Sequence, residues 1–224
     1  MAGISAPQNF STFLPIAPRT FSWYLRRCLG DPSHGMAVLL ALVRGYWYKG
    51  YYRVRGIRFR AGANFRVFGS LWVRGPGEVI FGNNVVVGER ATPWTHDAGA
   101  RIVVGDNVMM GATRFGCMKE IVVGRDSILA ESSIMDTDFH SSHINRRSVA
   151  APPVRVAPVH IGENVWIAQG AFVLAGTHIG NNSVVSCGAV CIRDYPENVI
   201  IMGNPAKVTA PVPGSVRLSA TRAG

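Results

Sequence analysis

In residues 160–194 an apolar side chain returns every sixth position: Ile161, Ile167, Val173, Ile179, Val185 and Cys191. The position after each is small or aliphatic (Gly162, Ala168, Leu174, Gly180, Ser186, Ile192), and four after each come Val165, Ala171, Thr177, Ser183, Ala189 and Tyr195. A period of six fits neither the period of about 3.6 of a helix nor simple two-residue alternation. Each hexad therefore encodes a short strand and a turn, and repeats this short stack into a coil. Three hexads per circuit put Ile161 over Ile179 and Gly162 over Gly180. The corners must turn sharply, which favours Gly and Asn because they tolerate left-handed dihedrals; Gly162, Asn164, Gly180 and Asn182 occupy them. Stacked circuits bury a continuous aliphatic column at about 25 cal/mol per Å², which no single circuit can do alone.

The phase runs back to Ala61. Ala61, Val67 and Val73 are in step; a slip through Gly75 and Pro76 precedes Phe81 and Val87; an insertion at 93–100 precedes Val104, Met110 and Gly116; one extra residue precedes Val123, Leu129 and Met135. The count predicts about six triangular coils. The largest break lies between Met135 and Ile161, where twenty residues exceed the period. This insertion, about 136–160, contains D-T-D-F-H, and solenoid insertions sit on one face and carry function because the coil has already satisfied the core. Upstream, apolar spacing predicts two short helices, at 20–30 and 33–49, separated by a Gly-Asp-Pro turn. An open coil end needs a cover, so residues 1–56 are assigned as lead-in and helical cap, 57–208 as the β-helix domain and 209–224 as a C-terminal tail.

The net charge is +10, unevenly placed: residues 32–77 contain no Asp or Glu but eight cations, from Arg44 to Arg74, laced with Tyr46, Trp47, Tyr48, Tyr51 and Tyr52. Such a stretch suits a membrane surface or an acidic polymer as well as a plain solvated cap. No nucleic-acid module accompanies the charge, so nucleic acid is not an expected partner. The four cysteines form no C-x-x-C pair, and Cys191 falls on the inward phase, where a thiol acts as a small apolar group. The N-terminus lacks the charged start and apolar run of a signal peptide, and the longest apolar run, 36–43, is too short to span a bilayer. The expected setting is cytoplasmic, without structural disulfides; contact of the helical segment with the inner face of the cytoplasmic membrane is the alternative to a pure cap.

The run IGENVWIAQGAFVLAGTHIGNNSVVSCGAVCIRDYPENVIIMGNPAKV, carrying V-W-I-A, D-Y-P-E-N-V and G-N-P-A-K-V in order, resembles the hexapeptide-repeat acyltransferases, in the branch of the galactoside, maltose and bacterial polysaccharide O-acetyltransferases. The earlier NFRVFGSLWVRGPGEVIFGNNV is similar to the polysaccharide group, so the resemblance covers 57–208. It implies an all-β, left-handed parallel β-helix, usually a homotrimer, with acetyl-CoA as co-substrate. The handedness comes from the resemblance, since parallel crossovers are normally right-handed.

Transfer of an acetyl group to a sugar hydroxyl needs a base near neutral pH, and imidazole is the usual choice. The resemblance places that base at His140, five residues after Met135, with His143 as competitor. Asp136 and Asp138 are candidate orienters, Asp138 foremost. It also makes Trp166 a wall for acceptor or pantetheine, against the plainer reading of a trimer-interface tryptophan. Ala168 and Gln169 match the position whose backbone N–H groups meet the thioester, an oxyanion donor. Cys187, Ile192, Arg193 and Lys207 match cofactor-contacting positions, the two cations suiting CoA phosphates. Arg146, with Arg147 and Arg155, makes the insertion basic. Gly111 stands where the galactoside enzymes carry an acceptor-contacting asparagine, which argues against a free small galactoside. His160 and His178, eighteen apart, read as stacked surface residues, and no metal is expected. The leading reading is an acetyl-CoA-dependent O-acetyltransferase of a surface-polysaccharide sugar or its lipid-linked precursor. N-acetylation of a nucleotide-linked amino sugar is the enzymatic rival, and a non-catalytic β-helix scaffold for an acidic partner is the rival of another class.

Overall fold

A computed structural model describes residues 30–148 and 153–215. The helix expected at 20–30 lies, apart from its last residue, outside them, as does most of the C-terminal tail. The described chain winds into a parallel β-solenoid with three faces. The first stacks Phe59–Ala61, Glu78–Phe81, Arg101–Val104, Glu120–Val123, Val159–Ile161 and His178–Ile179. The second starts at Arg66–Val67 and ends in an antiparallel pair, Val199–Gly203 with Ala206–Pro211. The third runs from Ser70–Leu71 through Arg90–Thr95, Arg114–Cys117 and Ser133–Met135 to Phe172–Val173 and Val190–Cys191. The second face carries seven parallel rungs, one more than the others, so the coil makes about seven turns where the hexads predicted six.

The predicted register holds on the first two faces. Ala61 pairs with Phe81, Phe81 with Val104, Val104 with Val123, Val123 with Ile161 and Ile161 with Ile179. Val67, Val87, Met110, Leu129, Ile167 and Val185 stack likewise, all fully buried. On the third face the central inward residues are Phe115 and Ile134, one position before the expected Gly116 and Met135. The hexads located small or apolar residues there correctly but assigned them the wrong side of the strand. Gly116 points outward and is buried because the insertion folds over it.

The corner residues divide their labour. Asn64, Asn84, Asn107, Asp126, Asn164, Asn182 and Asn198 all have φ between 53° and 62°, and their side chains bond from coil to coil: Asn64 to Asn84 at 2.9 Å, Asn164 to Asn182 and Asn182 to Asn198 at 3.0 Å. The glycines two residues earlier, such as Gly124 and Gly180, are not left-handed. They are required because the next coil's backbone lies where a Cβ would stand.

The helix Pro32–Val54 covers the N-terminal end of the described coil. Asp31 caps it by accepting from the His34 N–H at 3.1 Å and the Ser33 hydroxyl at 2.7 Å, and Pro32 suits the first turn. It outruns the expected stop near Lys49 because its last turns are anchored: the Tyr52 hydroxyl donates to the Leu71 carbonyl at 2.6 Å and accepts from the Val73 N–H at 3.0 Å. Gly45 lets the helix axis approach the Phe65 carbonyl, and Tyr52, Phe59, Phe65 and Phe81 pack edge to face beneath it. At the other end the Tyr195 hydroxyl donates to the Ala206 carbonyl at 3.1 Å, fixing the closing hairpin.

Candidate active site

The chain leaves the third face after Met135, and the next residue ties the exit down. Asp136 is fully buried, and its carboxylate accepts from the backbone N–H groups of Met118, Lys119 and Glu120 at 2.7, 2.7 and 2.8 Å. It is thus a brace between coils, and its carboxylate bonds there and not to His140. The Cys117 thiol lies 3.4 Å from the same carboxylate. Burial, and then the Asp136 charge, pushes that thiol far up, so it stays protonated and is no nucleophile. Cys191, on the inward phase as expected, is pushed up to about 11 by burial.

Beyond Asp136 the two arms of the insertion pair. Thr137 bridges Val156 in antiparallel fashion, and the Asp138 N–H donates to the Arg155 carbonyl at 3.3 Å. Phe139 then turns sharply, with φ 58°. Every other left-handed non-glycine among the described residues is Asn or Asp; an aromatic side chain there carries real backbone strain, roughly 1–3 kcal/mol. Its ring supplies the compensation. It lies over Gly116, where any Cβ would collide with it, and meets the His96 ring edge to face at 4.7 Å. The His140 N–H closes the turn on the Asp138 carbonyl at 2.7 Å. The exposed Asp138 carboxylate makes no hydrogen bond or ion pair with the His140 imidazole, so its contact with His140 is through the backbone alone.

His140 lines a cavity of about 1250 Å³ along the third face. Gln169 lines it too, at the corner between the second and third faces, where its Nε2 donates to Glu131 Oε2 at 2.6 Å and the Gly170 N–H to the Glu131 carbonyl at 2.6 Å. The Gln169 backbone N–H has no partner among the described residues. The same is true of Cys187 one coil on, so an open N–H belongs to this corner; Gln169 differs in sharing the cavity with His140.

His96, which the hexad reading passed over, is the cavity's other histidine. Its ring stacks on Trp94 at 4.5 Å, and its pKa is lowered by burial, against the opposing pull of the Asp136 charge. The signal was available: His96 sits in the 93–100 insertion, which interrupts the phase as the D-T-D-F-H loop does.

The remaining expected residues are not in this cavity of a single chain. Trp166 is exposed on the second face, between Ile128 and Val184. Arg146 is exposed in a turn closed by its N–H on the His143 carbonyl at 3.1 Å. Ala168 is buried at the end of its strand, beside Gln169. Cys187, Ile192, Arg193 and Lys207 are exposed on the last coils and the closing hairpin. His160 and His178 stack on the outer first face with ring centres 6.3 Å apart, and His160 Nε2 sits 3.1 Å from Glu120 Oε2. No group of three or more His, Cys, Asp or Glu among the described residues is arranged to hold a metal.

Residues 158–193 match the family described as bacterial transferase hexapeptide (six repeats). A provisionally named lipopolysaccharide biosynthesis O-acetyl transferase, WbbJ of Escherichia coli K12, is 30% identical over 149 residues, 61% of this chain and 74% of that protein. A provisionally named acetyltransferase of Saccharomyces cerevisiae, YJL218W, is 36% identical over 124 residues, 52% of this chain; the match spans only 59% of the yeast protein. Among solved structures, AntD, an N-acyltransferase from Bacillus cereus in complex with dTDP and 3-hydroxybutyryl-CoA, superposes with TM-score 0.60 over 78% of this chain and 93% of its own, at 13% identity. At that identity the likeness concerns the fold alone.

Proposed function

The chain belongs to the hexapeptide-repeat acyltransferases, and on that premise we propose that it is an acetyl-CoA-dependent O-acetyltransferase acting on a sugar hydroxyl of a surface polysaccharide or its lipid-linked precursor. The observation that carries the reading is His140, held by a strained turn, in one cavity with Gln169, whose backbone N–H is unpaired among the described residues. The site's donors suit a thioester and its phosphates: an open N–H at the corner, and Arg193 and Lys207 exposed beyond it. Bound acetyl-CoA supplies an activated acetyl group. His140 accepts the proton of the acceptor hydroxyl as the oxygen forms its bond to the acetyl carbon, and returns it to the departing sulfur as the C–S bond breaks. The Gln169 N–H donates to the acetyl oxygen as negative charge grows there. The phase and insertion place no cysteine beside His140, so no covalent acyl-enzyme is invoked.

Self-association as a homotrimer accounts for the distance of Trp166, Ile192, Arg193 and Lys207 from the cavity: a neighbouring chain would present them to it. WbbJ, named for lipopolysaccharide biosynthesis, supports a polysaccharide acceptor. The cap helix leaves Met36, Leu39, Leu40, Val43 and Trp47 exposed, and this apolar stripe supports peripheral contact with a membrane, where lipid-linked acceptors reside.

The test is His140→Ala, with acceptor-dependent CoA release measured on trimer of unchanged melting temperature. Loss of about 10²–10⁴-fold in kcat is expected of a missing general base; full activity overturns the assignment. The N-acetylation reading shares its fold with AntD, and the same assay with amine in place of hydroxyl acceptors separates the two. Absence of acetyl-CoA binding at millimolar concentration would leave the scaffold reading.

A further inference from the structure

The cavity continues along the third face far beyond His140, and its N-terminal half has a character of its own. Trp72 and Trp94 project outward there, 46% and 47% exposed, although indole is costly to leave in water. The Arg74 guanidinium lies 5.3 Å from the Trp72 ring centre and 5.8 Å from that of Trp94, and Arg90 lies 5.1 Å over Trp72. Leu71 pairs with Ala91 and Arg74 with Trp94, which puts Trp72 beside Thr92; register then places Thr92 beside Arg114, Arg114 beside Ser133 and Ser133 beside Phe172. Four rung spacings of about 4.8 Å make this strip about 19 Å long, longer than one pyranose ring.

Charge is one-sided along it. Arg74, Arg90 and Arg114 line the cavity, and none forms an ion pair among the described residues. The single carboxylate in the lining, Glu131, is engaged with Gln169 at the opposite end. Arginines poised over aromatic faces, with carboxylates kept away, suit a ligand that is both flat and anionic. Stacking on His96 fixes the Trp94 plane, so part of that surface is pre-formed.

We propose that the Trp72–Arg74–Arg90–Trp94 strip is the acceptor subsite and that it selects an anionic saccharide. The apolar faces of successive sugar rings lie on the indoles, and their carboxylate or phosphate substituents pair with Arg74, Arg90 and Arg114. The His140 end then receives the hydroxyl to be modified; that placement rests on the proposed transfer, while recognition by the strip does not.

The experiment measures binding directly on the full chain, by tryptophan fluorescence and calorimetry, with oligogalacturonate (anion on the sugar), UDP-glucose (anion on the linkage) and maltohexaose (neutral) as probes. An anionic probe is expected to bind at least about tenfold more tightly than maltohexaose, and to weaken as salt rises and screens the arginines. Preference for oligogalacturonate assigns the charge to the sugar, and preference for UDP-glucose assigns it to a diphosphate carrier. Trp94→Ala, and Arg74→Gln with Arg90→Gln, should each lose about tenfold in that affinity while acetyl-CoA affinity and oligomeric mass stay unchanged. Equal or absent binding of all three probes overturns the proposal. So does loss of acetyl-CoA affinity in the variants, which would make the strip a cofactor site, or a change of oligomeric mass, which would make it a subunit contact. If His140→Ala retains full transfer activity but the anionic preference persists, the catalytic reading falls and the subsite stands.

Discussion

Phe139 shows how one residue couples strain to position. Its left-handed turn is the step that carries the chain to His140, and the ring contacts with Gly116 and His96 are what hold it. Phe139→Ala keeps the awkward dihedral and removes the compensation, so the turn should relax and misplace the imidazole. Displacement of a catalytic group by about 1 Å can cost about 10²-fold, and kcat should fall between about 10- and 100-fold with little change in acetyl-CoA affinity. Gly116→Ala should act in the same direction, because its Cβ displaces the same ring; wild-type kcat in both would detach Phe139 from catalysis. His96 makes a different prediction, through pH. Burial favours its neutral form, so the folded state holds the proton less tightly than the unfolded chain. Its penalty is absent above the ordinary histidine range and grows as pH falls through about 6.5. The drop in melting temperature between pH 7.5 and pH 5.5 should therefore be smaller in His96→Gln than in wild type, and an unchanged drop would show that His96 does not contribute.

At the scale of the hexad, the two corner positions are different problems with different solutions. Asn164 supplies a left-handed residue and a rung of the amide ladder, so Asn164→Ala should cost about 1–2 kcal/mol in urea unfolding, the penalty of that dihedral for an ordinary residue. Gly124 supplies space: a Cβ there would run into the Gly162 carbonyl and the adjoining backbone, which cannot swing away as a side chain can. Gly124→Ala should cost more than Asn164→Ala, and the reverse order would contradict the division. Both positions were visible in the sequence as punctuation, although the reason for the glycines was not, since left-handed freedom and close approach select the same residue. The coil offsets were equally visible, because every slip of phase reappears as a change in ladder spacing. Phe115 and Ile134 were missed because in these two coils the step from the second face to the third is five residues, Met110 to Phe115 and Leu129 to Ile134, where Ile167 to Val173 keeps six. His140 was legible from its place after a break in phase, but the other residues of its cavity, His96, Trp72 and Trp94 among them, come from coils 40 or more residues earlier in the sequence.

For the molecule as a whole, the cap helix has two apolar sides, and the coil uses one. Val38, Ala41, Gly45 and Tyr52 face the first circuit, while Met36, Leu39, Leu40, Val43, Trp47 and Val54 stand exposed on the other side. A helix apolar on both sides is normally covered on both. No described helix is long and apolar enough to cross a membrane, so a bilayer could meet this stripe only from its surface. The surrounding charge favours that meeting: residues 32–77 carry eight cations and no acid, and each basic group near an anionic leaflet contributes about 1 kcal/mol. Several of the eight are engaged: Arg66 is buried, Arg60 pairs with Glu78, Arg44, Lys49 and Arg58 bond the Phe68, Gly62 and Ala98 carbonyls, and Arg55 bonds the Tyr51 hydroxyl, which leaves Arg53 at the helix end to lead. The protein should therefore sediment with vesicles containing phosphatidylglycerol but not with pure phosphatidylcholine, and added salt should weaken the association. Leu40→Asp with Val43→Asp lies away from the His140 cavity and should abolish vesicle binding while leaving transfer to a soluble acceptor intact. Binding that ignores lipid charge, or survives the double substitution, would mean that the stripe is not what meets the membrane. The same variant then asks whether placing the coil against a bilayer matters for catalysis: with a lipid-linked acceptor embedded in vesicles, its transfer rate should fall as its vesicle binding does.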